Sequence, residues 1–179
     1  MSRLTTLAVA DTTGAAAPLY AAIKGAMGKV PNAYVTIGTN SPVALEAALT
    51  LDGALRKSSL NGKDIEVIKL AVSQKAQCDY CLAAHSLAAK KHGLSPEAIH
   101  GVRHGESSGE ARFDALSTFA RTVVSTSGTV PQAVLDAVKA AGISDAEIVD
   151  ALLAIASITF TNLFNRVNDT TLDFPAAAA

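Results

Sequence analysis

Tryptophan is absent from the sequence, and aromatic residues make up only 4% of its 179 positions. A core built on large stacked rings is therefore excluded, and small side chains have to fill the interior. Cysteine occurs twice, at Cys78 and Cys81. Two thiols three residues apart do not make the multi-bridge framework of a small secreted domain. A charge of one sign is also missing, because 15 Lys and Arg face 16 Asp and Glu, for a net charge of -1. Without a basic field, neither nucleic acid nor an anionic lipid surface is an expected partner. The opening residues have no signal-peptide pattern. The longest charge-free run near the C-terminus, Ala151 to Asn165, is shorter than the roughly 20 residues a membrane span needs. The expectation is a cytoplasmic protein.

What is abundant is alanine, within a hydrophobic share of 49%. Alanine has the highest helix propensity and lets helices approach closely. Helical periodicity runs almost throughout, and the short β-branched run Tyr34 to Ile37 is bounded by turn formers. A first helix is predicted over Ala15 to Gly28 and a short one over Asn32 to Gly38. Ser41-Pro42 reads as an N-cap with proline in the first helical position. The helix it opens carries Val43, Leu45, Ala48, Leu49, Leu51 and Leu55. Asn61-Gly62 breaks the chain before a helix that buries Ile65, Ile68, Leu70 and Val72 and carries Glu66. Another runs from about Cys78 to His92, where Gly93 stops it. Ser95-Pro96-Glu97 starts the next, which ends at Gly105. Helices then follow over Glu110 to Ser125, with Phe113, Leu116, Phe119, Ala120 and Val123 on one face, and over Gln132 to Ala141. Ser144 and Glu147 form a capping box for a last helix, Asp145 to Val167. The tail Pro175 to Ala179 is expected to lack fixed structure.

Chemistry concentrates in Cys78-Asp79-Tyr80-Cys81. Positions i and i+3 of a helix share a face, with Cβ atoms about 5–6 Å apart. A disulfide needs about 3.5–4.5 Å, a gap that a tightened helix start can close. Unpaired N–H groups in a first turn favour a thiolate, so Cys78 is the expected acidic thiol. His85 lies one turn beyond Cys81 on the same face and can accept a thiol proton. Glu66 precedes Cys78 by twelve residues, about 18 Å along an unbroken helix. The polar stretch Gln74 to Gln77 permits a turn, but spacing alone does not bring Glu66 to the thiols. In a reducing compartment, such a pair serves redox chemistry or metal binding more often than structure.

The pattern Glu66, Cys78-x-x-Cys81, His85 resembles the signature of the AhpD-like alkylhydroperoxidases of the carboxymuconolactone decarboxylase superfamily. The likeness includes Leu55-Arg56, Glu66-Val-Ile-Lys-Leu-Ala-Val, Cys81-Leu-Ala-Ala-His85 and the closing Phe160-Thr-Asn-Leu-Phe-Asn-Arg-Val-Asn-Asp-Thr. It is strongest from about residue 41 to 105. The resemblance implies a single all-α domain over residues 1–179, a compact helix bundle assembled as a homo-oligomer (trimer or hexamer). It implies reduction of a hydroperoxide by a dithiol cycle, reset by an external dithiol, without a cofactor. Cys81 would attack the peroxide, Cys78 would be the more exposed resolving thiol, and Glu66 with His85 would relay protons. One departure stands out. Some members carry a second histidine just before the later cysteine, where this chain has Tyr80, a poor base near neutral pH. Members that decarboxylate a muconolactone use no thiol pair, so the two cysteines speak against that reaction.

Two other readings use the same residues. The pair could oxidise once as a sensor, or Cys78, Cys81 and His85 could hold a metal with a fourth ligand from Glu66 or a neighbouring subunit. His92, His100 and His104 read as surface residues, the last two without an acidic partner. Asn162, Asn165, Arg166 and Asp169 read as interface or helix-cap residues with no chemistry assigned.

Overall fold

The structure is a computed structural model that describes residues 2–178. Among them are nine α-helices and no β-strand, so the expected all-α class is observed. In chain order the helices are α1 (Ala16–Met27), α2 (Asn32–Asn40), α3 (Pro42–Leu55), α4 (Gly62–Lys75) and α5 (Asp79–Lys91). They continue with α6 (Pro96–His104), α7 (Ala111–Thr126), α8 (Gln132–Ala140) and α9 (Asp145–Asn168).

Four of the predicted helix starts have a side-chain oxygen cap. The side chains of Ser41, Asn61, Ser95 and Ser144 accept backbone N–H groups of α3, α4, α6 and α9, and Asn61 and Ser144 complete capping boxes. Glu147 of the second box also accepts from Arg112, whose guanidinium grips the buried Asp64 at 2.9 and 3.1 Å. Three helix starts are thus tied together.

Helix α4 is the axis of the fold and packs on α5, α6, α7 and α9. Every residue from Glu66 to Ser73 is buried, as expected of a helix enclosed on all sides. Val67, Ile68, Leu70, Leu116, Phe119, Ile155 and Ile158 belong to its core. Each such side chain contributes about 1.5–3 kcal/mol. Ile65 is only half-buried at its edge. A smaller cluster of Tyr20, Ile23, Ile37 and Leu45 holds α1 to α2 and α3. There Gly38 lets Tyr20 approach, since a Cβ would lie 2.6 Å from the tyrosine ring.

Two terminal features differ from expectation. Residues 175–178 have no regular structure but are pinned, because Ala177 packs on the core and Arg103 Nη1 donates to the Ala178 carbonyl. Ala179 lies outside the described residues. Helix α9 extends beyond the charge-free run at both ends, to 24 residues, and by length and composition it could cross a membrane. Here, however, its inner face carries buried Ala151, Ala154, Ile158 and three asparagines and packs on α3, α4 and α7. One face of α9 is thus a core face, while about a third of its apolar stretch is buried in all.

Candidate active site

The turn between α4 and α5 creates the thiol site. Ala76 caps α4, and Gln77 takes the left-handed conformation at φ 51°. Cys78 N–H bonds back to Ser73 O at 3.1 Å, and Gln77 N–H to Gln74 O at 3.1 Å. This is a Schellman C-cap, and its last residue is already the N-cap of α5. Cys78 Sγ fills the usual serine role by accepting the Cys81 N–H at 3.3 Å. The same reversal folds α5 back on α4, so that His85 Nδ1 meets Glu66 Oε2 at 2.8 Å. The proximity that spacing left open is therefore present.

The thiols are free, with their Sγ atoms 2.7 Å apart. The two sulfurs are hydrogen-bonded to each other. That bond, helped by the Cys81 N–H, the Asn162 amide and the Arg166 charge, holds Cys78 below the ordinary thiol range despite burial. Cys81 is pushed up, first by its hydrogen bond with Cys78 and second by burial. The helix-start argument for an acidic Cys78 agrees with this. Its expected greater exposure does not hold, since Cys78 is 1% and Cys81 3% exposed. The α4–α5 turn folds over Cys78 and is clamped by Arg166 Nη1, which donates to Gln77 O at 2.5 Å.

Of the two thiols, Cys81 opens onto a cavity of about 650 Å³. Its walls are apolar, with Ile23, Met27, Pro31, Leu49 and Phe174 among them, and its polar groups include Glu66, His85, Asp52 and Arg56. All four predicted site residues therefore gather here, Cys78 directly behind Cys81. Tyr80 plays no base role. Its buried hydroxyl donates to Asp173 at 2.7 Å and accepts the Ala33 N–H at 3.2 Å, tying the C-terminal segment to α2. Burial, the largest effect, and Asp173 push its pKa far up.

Sequence reasoning missed a polar seam along α4. Glu66, Lys69 and Ser73 follow i, i+3, i+7 spacing on an otherwise apolar helix, the one signal that could have disclosed it. Lys69 Nζ donates to Asp52 Oδ1 at 2.9 Å, and Ser157 Oγ donates to the same oxygen at 2.8 Å. Burial alone would raise the Asp52 pKa, but the Lys69 charge and these bonds hold it below the usual value. Tyr34 O–H donates to Asp52 Oδ2 at 3.4 Å, and burial beside that carboxylate raises its pKa. Asn162 Nδ2 donates to Ser73 Oγ at 3.1 Å.

Asn162, Asn165 and Arg166 thus surround the thiols instead of serving only as interface or cap residues. Asn165 Nδ2 reaches Cys81 Sγ at 3.4 Å. Asp169 does cap α9, its N–H bonding to Asn165 O. His92, His100 and His104 are exposed as expected, but His100 has an acidic neighbour after all, Glu106 at 3.6 Å. Among the described residues, no group of three or more His, Cys, Asp or Glu side chains is arranged to hold a metal ion.

The site is thus a buried CxxC thiol pair at a helix start, inside an all-helical bundle. Solved structures of AhpD-like proteins share this fold. An uncharacterized peroxidase-related protein from Ralstonia eutropha JMP134, described as an alkylhydroperoxidase AhpD core, has a TM-score of 0.85 at 22% identity, covering 96% of this chain and 92% of that one. A peroxidase-related protein from Silicibacter sp. TM1040 has a TM-score of 0.78 at 21% identity, with 96% and 94% coverage. The debrominase Bmp8 has a TM-score of 0.80 at 18% identity, with 97% and 93% coverage. No curated protein sequence matches the chain. Residues 42–111 match the profile of the carboxymuconolactone decarboxylase family, a segment that contains Glu66, both cysteines and His85. The fold is therefore that of the AhpD-like structures, and the family match is confined to residues 42–111.

Proposed function

We propose that the protein is a cytoplasmic thiol peroxidase that reduces organic hydroperoxides through a Cys78–Cys81 dithiol cycle. The observation that carries this reading is the placement of Cys81 in an apolar-walled cavity, with Cys78 behind it and the Glu66–His85 pair beside it. Cys81 first passes its proton across the 2.7 Å contact to the Cys78 thiolate. Its own thiolate attacks the terminal peroxide oxygen, the O–O bond breaks, and Cys81 becomes a sulfenic acid. The leaving alkoxide takes a proton from His85, held in place by Glu66. The Cys78 thiol then attacks the Cys81 sulfur. An S–S bond forms, the S–O bond breaks, and water leaves with the Cys78 proton. An external dithiol reduces the disulfide and completes the cycle.

The homo-oligomer implied by the family resemblance belongs to the same proposal. Val149, Leu152, Phe160, Leu163 and Val167 expose an apolar stripe along α9 at spacings of 3 or 4 residues and their sums, a pattern suited to a second helix.

The test is to reduce the protein, remove the reductant and add one equivalent of an organic hydroperoxide. The expected result is rapid loss of both thiols, a mass lower by two hydrogens and formation of one alcohol. Continued turnover with a dithiol reductant separates an enzyme from a sensor that reacts once. Retention of full turnover by Cys81→Ser would refute the role given to Cys81.

A second substrate is favoured by the likeness to a debrominase together with the apolar cavity. A Cys81 thiolate could take bromine from a small brominated ring, the ring carbon gaining a proton, and Cys78 would then displace bromide to give the same disulfide. Bromide release from such a ring, in place of alcohol formation from a hydroperoxide, would select this reading.

A further inference from the structure

Three residues after Asn162, Asn165 presents the same side chain to the other side of the thiol pair. It is 4% exposed, yet it lines the cavity into which Cys81 opens. Its backbone carbonyl takes the N–H groups of Asp169 and Thr170 at the end of α9, so the residue has little freedom to move. Its amide nitrogen points at Cys81 Sγ, 3.4 Å away. Its amide oxygen is buried and has no hydrogen-bond partner. A buried carbonyl oxygen left unpaired costs about 1–3 kcal/mol, and such groups in native structures call for an explanation. Other polar groups at the thiol end of the cavity have partners at one atom at least. Glu66 and His85 bond each other, and the Tyr80 hydroxyl bonds Asp173 and Ala33.

We propose that Asn165 is a catalytic residue that uses both ends of its amide, donating from Nδ2 to the Cys81 sulfur and accepting the hydroperoxide O–H at Oδ1. This inference rests on the peroxidase reading above. The chemistry divides the peroxide between two groups of the cavity wall. The terminal oxygen keeps its hydrogen when it transfers to sulfur, so it needs an acceptor beside Cys81 and no base. The inner oxygen leaves as alkoxide and needs a donor, which is His85, another residue of the cavity wall. Asn165 Oδ1 holds the terminal O–H against the sulfur before attack and the S–O–H of the sulfenic acid afterwards. Its Nδ2 donates to the thiolate throughout, and a donor to a charged partner is the stronger kind of hydrogen bond. An aspartate would keep the acceptor but place a second negative charge against the thiolate. A leucine would provide neither function. Asparagine is the residue of that size that carries a neutral donor and acceptor together.

The test uses full-length protein carrying Cys78→Ser, so that Cys81 reacts alone. Its reaction with tert-butyl hydroperoxide is followed by sulfenic-acid trapping, and its alkylation by iodoacetamide is followed across pH. Iodoacetamide reports thiolate formation without the peroxide O–H that the acceptor would hold. Asn165→Ala is expected to slow the peroxide reaction about tenfold to a hundredfold and alkylation by less, so the ratio of the two rates falls. Asn165→Asp is expected to move the alkylation midpoint to higher pH, a shift that mere loosening of α9 would not give. Thermal melting verifies that each variant is folded. An unchanged rate ratio in folded Asn165→Ala, with an unchanged midpoint in Asn165→Asp, overturns the role of Asn165. If Cys81 with Asn165 intact forms no sulfenic acid, the peroxidase reading itself is refuted, and the role of Asn165 with it.

Discussion

Replacing Asp52 by asparagine tests whether the polar seam of α4 holds the site together. The substitution keeps the shape and an acceptor for Ser157 but removes the charge opposite Lys69. The two side chains are 21% and 10% exposed. Removing one member of a fully buried ion pair costs about 3–5 kcal/mol, because the other charge is left uncompensated. Partial access of water at Asp52 reduces this to about 2–3 kcal/mol. In a chain of this size each kcal/mol moves Tm by about 2–4 °C, so a fall of about 4–12 °C is expected at pH 7. The sign with pH follows from the lowered Asp52 pKa. A depressed carboxyl stabilises the fold fully above its unfolded value and loses that contribution as pH falls through the folded value. The Tm gap between wild type and D52N should therefore be constant near neutrality and close below about pH 4. Calorimetry from pH 7 down to pH 3 measures both effects. Asp52→Leu combined with Lys69→Met should recover most of the loss, since no charge is stranded. A D52N protein that melts within about 1 °C of wild type at pH 7 would refute the reasoning.

Cys81→Ala removes the hydrogen bond that chiefly lowers Cys78, so the Cys78 alkylation midpoint should move to higher pH; an unmoved midpoint would assign its acidity to the helix start instead. Gly101→Ala would drive a methyl group into the backbone of Ser107 and Ser108, which cannot swing aside as a side chain can. A loss of about 1–3 kcal/mol in chemical denaturation is expected. Leu163→Glu on the exposed α9 stripe should shift the protein towards smaller species in light scattering while leaving the Tm of a monomer unchanged. An unchanged mass would remove that stripe from the assembly.

Much of the architecture was legible in the chain because its determinants are local. Helix starts are set by one side chain and one N–H, so Ser41-Pro42, Ser95-Pro96 and the Ser144–Glu147 box marked them within a residue or two. The CxxC spacing and the histidine one turn later likewise depend only on helical periodicity. The direction of the Cys78 shift was predictable from its helix start, but its largest cause is the hydrogen bond with Cys81.

Tertiary structure decided the rest, because it depends on which distant segments meet. The left-handed Gln77 turns α5 back on α4 and brings Glu66 to His85. Only packing determines that Cys81, and not Cys78, opens onto a cavity, which reverses the exposure expected for the pair. Asp52, Ser157 and Asn165 come from α3 and α9 and have no pattern that links them to the thiols in sequence. Asn165 lies 84 residues from the sulfur it touches. Periodicity says which face of a helix is polar. What that face meets is determined by the crossing of helices far apart in the chain, and it is there that the chemistry of this site is assembled.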